Sequence, residues 1–89
     1  MTKTLPIPDL LTVYGASWCA DCRGGTQRYL DAAGVDYRYV DLGADPAARA
    51  MLADAGHLAI PVVITTAGAV LIEPSERELA LAVSTPGAT

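Results

Sequence analysis

Leu10-Leu11-Thr12-Val13-Tyr14-Gly15-Ala16-Ser17-Trp18-Cys19-Ala20-Asp21-Cys22 holds both cysteines of the chain, and its reading decides the fold. Leu10–Tyr14 is apolar and predicts a strand buried on both faces. Gly15-Ala16-Ser17 turns the chain, and a helix is expected to open at Cys19 or Ala20. Two thiols three positions apart on a helix's first turn can close into a small-ring disulfide and reopen without unfolding the domain. A C-x-x-C at a strand-to-helix junction therefore points to thiol–disulfide exchange.

The rest of the chain supplies a setting for that pair. Cys22, Thr26, Tyr29, Leu30 and Ala33 keep helical spacing, and Gly34 stands where a C′ glycine would stop the helix. Val35–Leu42, rich in β-branched and aromatic residues, predicts a second strand. Asp45-Pro46 predicts an N-cap with proline at the first helical position, opening an Ala-rich helix that runs to Ala55 and stops at Gly56. Pro61–Thr65 and Ala69–Ile72 are expected strands joined through Thr66-Ala67-Gly68. Ser75-Glu76-Arg77-Glu78 is a capping box for a last helix reaching about Val83, ended by Thr85-Pro86-Gly87. Residues 1–9 form an extended lead-in, 10–84 the domain and 85–89 a tail. The order is β-α-β-α-β-β-α. Its first two strands must be parallel because a helix joins them, and its last two antiparallel because only a short turn does. The expected fold class is α/β, a four-stranded mixed sheet with helices on both faces.

Composition narrows the function classes. Charged residues make up only 18% of the chain and hydrophobic ones 52%, enough for one small core and against disorder. The net charge is −4, and the six Lys and Arg are scattered, so no nucleic-acid footprint exists. No apolar run approaches the roughly 18–20 residues of a membrane span, and Met1–Leu10 lacks a signal peptide's apolar core. The expectation is a cytoplasmic monomer, where a cysteine pair serves catalysis or metal binding rather than stapling.

At a helix N-terminus, unpaired backbone N–H groups and the macrodipole favour a thiolate. Cys19 is accordingly assigned as the attacking thiol and Cys22, one turn deeper, as the resolving one. Asp21 opposes the thiolate and Arg23 favours it. Charges a few ångström apart interact by about 1–4 kcal/mol in partly exposed surroundings, so the sign of the net shift stays open. A zinc site needs four ligands, whereas this chain offers two Cys and one His. No metal is expected, and His57 reads as a solvated loop residue. Gly24-Gly25 falls inside the catalytic helix at a cost of about 1 kcal/mol each relative to Ala. It is either tolerated drift in a helix held by packing or the mark of a loosened or late-starting helix that alters the position of Cys22.

Three segments carry a family resemblance: Tyr14–Arg23, Ile60-Pro61-Val62-Val63 and Glu73-Pro74-Ser75. With these in register over about residues 10–84, the chain resembles the glutaredoxins, and more narrowly their mycoredoxin-like branch. The resemblance implies a minimal thioredoxin fold with a cis Pro61 opposite the cysteine pair. It implies a thiol–disulfide oxidoreductase that reduces protein mixed disulfides, with no tightly bound cofactor and a low-molecular-weight thiol as co-substrate. Trp18, Arg23, Ile60, Pro61 and Ser75 are the implied substrate contacts. Glutaredoxins that use glutathione usually carry a basic residue where this chain has Ala16, and Gly-Gly where it has Pro74-Ser75. Both departures favour mycothiol. The alternatives are a ribonucleotide-reductase-type redoxin fed by a flavoprotein thioredoxin reductase, and a non-enzymatic iron–sulfur carrier. Glu73-Pro74-Ser75 argues against the first. Dimerisation with a visible absorbance band would mark the second.

Overall fold

The computed structural model describes residues 5–20, 22–57 and 59–84, less the side chains of Arg23 and Ser84. The elements are β1 (Thr12–Gly15), a π-wound segment (Cys22–Gln27) leading into α1 (Arg28–Ala32), and β2 (Arg38–Asp41). α2 (Pro46–Asp54), β3 (Val62–Ile64), β4 (Val70–Ile72) and α3 (Glu76–Ser84) follow. The sheet order is β2-β1-β3-β4, with β1 parallel to β2 and antiparallel to β3, and β3 antiparallel to β4. This is the mixed sheet expected from the sequence.

Strand alternation splits the core into two layers. Val13 and Val63 point to one face, where they pack with Leu11, with Leu30 of α1 and with Leu79 of α3. Val62 and Ile64 point to the other, against Leu42 after β2 and Leu52 of α2, with Tyr14 and Ile60 at its margin. Helices therefore cover both faces. Among the described residues no helix is long and apolar enough to cross a membrane.

The local stop and start signals act as their residue types dictate. Asp45 Oδ1 accepts the Ala48 N–H at 3.0 Å, with Pro46 opening the helix. Ser75 and Glu78 close a reciprocal box: the Glu78 N–H donates to Ser75 Oγ, and the Ser75 N–H to Glu78 Oε1. Gly34 and Gly56, both at positive φ, end α1 and α2 in Schellman closures. There the Val35 N–H donates to the Leu30 carbonyl and the His57 N–H to that of Leu52.

Four expectations shift. The second strand begins at Arg38 rather than Val35, because Val35 is consumed by the helix closure and pairing starts where the Arg38 N–H meets the Leu11 carbonyl. Strand one runs Thr12–Gly15 instead of Leu10–Tyr14, and the Leu10 carbonyl takes the Thr12 hydroxyl. Ala33 is exposed at the C-cap rather than on the buried face. The catalytic helix is not uniformly α: Cys22–Gln27, which contains Gly24-Gly25, takes the wider π winding often found at functional sites. Asp21, the expected Thr85-Pro86-Gly87 stop and the 85–89 tail lie outside the described residues, as does the start of the lead-in at residues 1–4.

Candidate active site

The turn after β1 delivers the cysteines. The Cys19 N–H donates to the Ala16 carbonyl at 3.0 Å, which tightens the loop and directs the chain into the helix. Cys19 and Cys22 are joined as a disulfide with Cα atoms 5.3 Å apart. Their environments differ: Cys19 is partly exposed and Cys22 is wholly buried. A nucleophile must be reached by its substrate, whereas a resolving thiol needs only to reach its neighbour. This asymmetry supports the roles assigned from the sequence. The Cys22 N–H lies 3.2 Å from Cys19 Sγ and donates to it, a bond that strengthens when the acceptor becomes a thiolate.

Cys22 is packed under β1 at Gly15, where there is no room for a side chain. A Cβ at Gly15 would stand 2.8 Å from Cys22 Cβ, 2.9 Å from Cys22 Sγ and 2.8 Å from the Tyr39 hydroxyl. Gly15 and Tyr39 thus belong to the site, although neither was singled out in the sequence. A glycine beside an active-site turn is a weak signal, and Tyr39 arrives only through the β1–β2 register.

Trp18 is 68% exposed, as the residue before the first cysteine should be. Its six-membered ring lies over Gly43 in the β2–α2 loop, within 2.8 Å of where a Cβ would stand. The indole borders two clefts. One, of about 360 Å³, is shared with Leu42, Arg49, Leu52, Ala53, His57 and Ile60. The other, of about 690 Å³, is lined by Ser17, Trp18, Cys19, Ala20, Gly24, Gln27 and Asp31. His57 stands in the loop after α2, half-buried, where the Schellman closure sets it at the edge of the first cleft. Reduction of the disulfide is expected to change Trp18 fluorescence, because the indole adjoins Cys19. Identical spectra across a redox titration would leave Trp18 as packing alone.

The Ile60–Pro61 peptide bond is cis. Pro61 is buried and borders a crevice of about 140 Å³ with Gly25, Thr26, Glu73 and Pro74. Its carbonyl accepts the Glu73 N–H at 2.8 Å, and Glu73 holds a left-handed φ of 46° unusual for its type. Trp18 and Cys19 thus share the larger cleft, Trp18 and Ile60 the smaller one, and Pro61 faces Gly25 and Thr26 of the segment that carries Cys22. Ser75 is spent on the capping box and borders none of the three clefts. The side chain of Arg23 lies outside the described residues.

Comparison with known proteins agrees with this arrangement. No curated protein matches the chain. The crystal structure of a glutaredoxin from Archaeoglobus fulgidus superposes with a TM-score of 0.66 at 20% identity, covering 82% of this chain and 84% of that one. At that identity the likeness speaks for the fold. Residues 11–67 match the glutaredoxin family model, a stretch running from β1 past β3 that takes in Cys19, Cys22 and Pro61. The chain belongs to the glutaredoxin family, whose members are thiol–disulfide oxidoreductases.

Proposed function

We propose that this protein reduces mixed disulfides between proteins and a low-molecular-weight thiol, and that the thiol is mycothiol rather than glutathione. The observation that carries the reaction is the unequal exposure of the two sulfurs. The Cys19 thiolate attacks the small-thiol sulfur of the mixed disulfide, the protein leaves as its thiolate, and Cys19 is left bonded to the small thiol. A second small-thiol thiolate then attacks that sulfur, forming the small-thiol disulfide and restoring the Cys19 thiolate. Cys22 can instead displace the small thiol and close the Cys19–Cys22 disulfide, whose reduction takes two electrons from outside.

The choice of thiol is supported by the position occupied by Ala16. That residue is fully buried, with its carbonyl engaged by Cys19, so no cation is presented there to a glutathione carboxylate. A missing charge-assisted hydrogen bond is worth about 1.5–3 kcal/mol, or roughly ten- to a hundredfold in binding. One observation favours glutathione: Arg49 and His57 border the smaller cleft beside Trp18 and Ile60 and can receive a carboxylate. A coupled assay decides. Rates with mycothiol and its reductase are expected to exceed those with glutathione and its reductase by at least about tenfold. Comparable rates at matched concentrations would return the protein to a general glutaredoxin. Turnover with thioredoxin reductase alone would make it a ribonucleotide-reductase-type redoxin.

A further inference from the structure

Gly24-Gly25 is the one sequence feature that the chemistry of Cys19 and Cys22 leaves unused. Space does not demand it: a Cβ at Gly24 or Gly25 would meet nothing within 4 Å, and neither has a positive φ. Gly24 is exposed and forms part of the wall of the larger cleft, which begins at Cys19 and ends at Gln27 and Asp31. Ala20, Gly24, Gln27 and Asp31 succeed one another along the helical segment, so the cleft follows it from Cys19 to Asp31. A bare backbone in its middle lets a ligand lie directly against the helix.

The far end of the cleft is held in shape. The Tyr37 hydroxyl donates to Asp31 Oδ1 at 2.8 Å, and Gln27 Nε2 donates to the Tyr37 oxygen at 3.4 Å. Burial and the bond to Asp31 push the Tyr37 pKa above the ordinary phenol value, so the hydroxyl keeps the proton it donates. Asp31 Oδ2 has no partner among the described residues, and the same holds for Gln27 Oε1. A carboxylate and a primary amide are the groups that take up vicinal hydroxyls, and the indole of Trp18 offers a plate to the C–H face of a sugar ring. No cationic side chain among the described residues lines this cleft, so it does not suit an anionic peptide. Its volume of about 690 Å³ falls in the usual range for small-molecule sites.

We propose that the cleft of Trp18, Gly24, Gln27 and Asp31 binds the neutral polyol body of the co-substrate thiol and sets the protein's preference for a glycosylated thiol. This rests on the mycothiol reading and gives it a location. The measurement is the ratio of kcat/KM for mycothiol to that for N-acetylcysteinamide, which carries the same neutral N-acetylated, C-amidated cysteine without the sugars. One mixed-disulfide substrate is used throughout. Wild type is expected to favour mycothiol by at least about tenfold, and Gly24→Leu and Asp31→Asn each to lower that ratio about tenfold or more. Leucine occupies the open space at position 24, and asparagine keeps an acceptor for Tyr37, so both variants should fold, as thermal melts would verify. A high wild-type ratio undiminished in either variant overturns the cleft assignment and leaves mycothiol as the thiol. A wild-type ratio near one overturns both.

Discussion

Cys19→Ser is expected to bring disulfide reduction down to the uncatalysed level, while Cys22→Ser keeps substantial activity on mixed disulfides. Serine at 19 removes the partly exposed sulfur of the pair, and a hydroxyl has no thiolate to offer near neutral pH. Serine at 22 removes a sulfur that is wholly buried and whose backbone N–H, not its side chain, supports Cys19 Sγ. The one-thiol cycle needs only Cys19 and a second small thiol, so it survives the loss of Cys22. The check is turnover of a preformed mixed disulfide by both variants, with their fold verified by circular dichroism. An inactive but folded Cys22→Ser variant would mean an obligatory two-thiol cycle and would favour the reductase-fed alternative.

Gly15→Ala and Gly24→Ala are expected to act with opposite signs, although both glycines lie close to the same cysteine pair. At Gly15 the new methyl would enter within 2.8 Å of Cys22 Cβ, an atom fixed to the helix backbone, and of the Tyr39 hydroxyl. Overpacking of this kind costs about 1–3 kcal/mol, and each kcal/mol lowers the Tm of a domain this size by roughly 4–8 °C. The strain falls on the resolving cysteine, so re-formation of the Cys19–Cys22 disulfide should slow along with the loss of stability. At Gly24 the methyl meets nothing, and the gain from a less flexible unfolded chain is about 0.5–1 kcal/mol. Thermal melts of the reduced proteins test both. A Gly15→Ala variant as stable as wild type would show that β1 and the helix can separate without cost.

Much of the fold could be read because its determinants are local. Asp45-Pro46, the Ser75–Glu78 box, Gly34 and Gly56 act through bonds spanning only a few residues, and each stands where its chemistry placed it. The parallel pairing of β1 with β2 followed from a helix-length connection, and the hairpin of β3 and β4 from a short one. The cysteine pair and the cis Pro61 were legible as well, the second only through family resemblance.

What the sequence withheld depends on register and packing between distant segments. Nothing local says that Tyr39 reaches the buried side of Cys22 beneath Gly15, or that the α2 closure turns His57 towards Trp18. The burial of Ala16 and the cleft ending at Gln27 and Asp31 were equally hidden. Gly24-Gly25 announced a weak stretch of helix, but helix cost alone could not say whether it would stay α, and the observed segment is π-wound. The sequence by itself determined the order of elements, their caps and the two sulfurs that pair, because backbone hydrogen bonding and side-chain period act over short spans. The tertiary structure alone decided which side chains surround the pair. Those outcomes come from burying both faces of one sheet at once, which no single segment encodes.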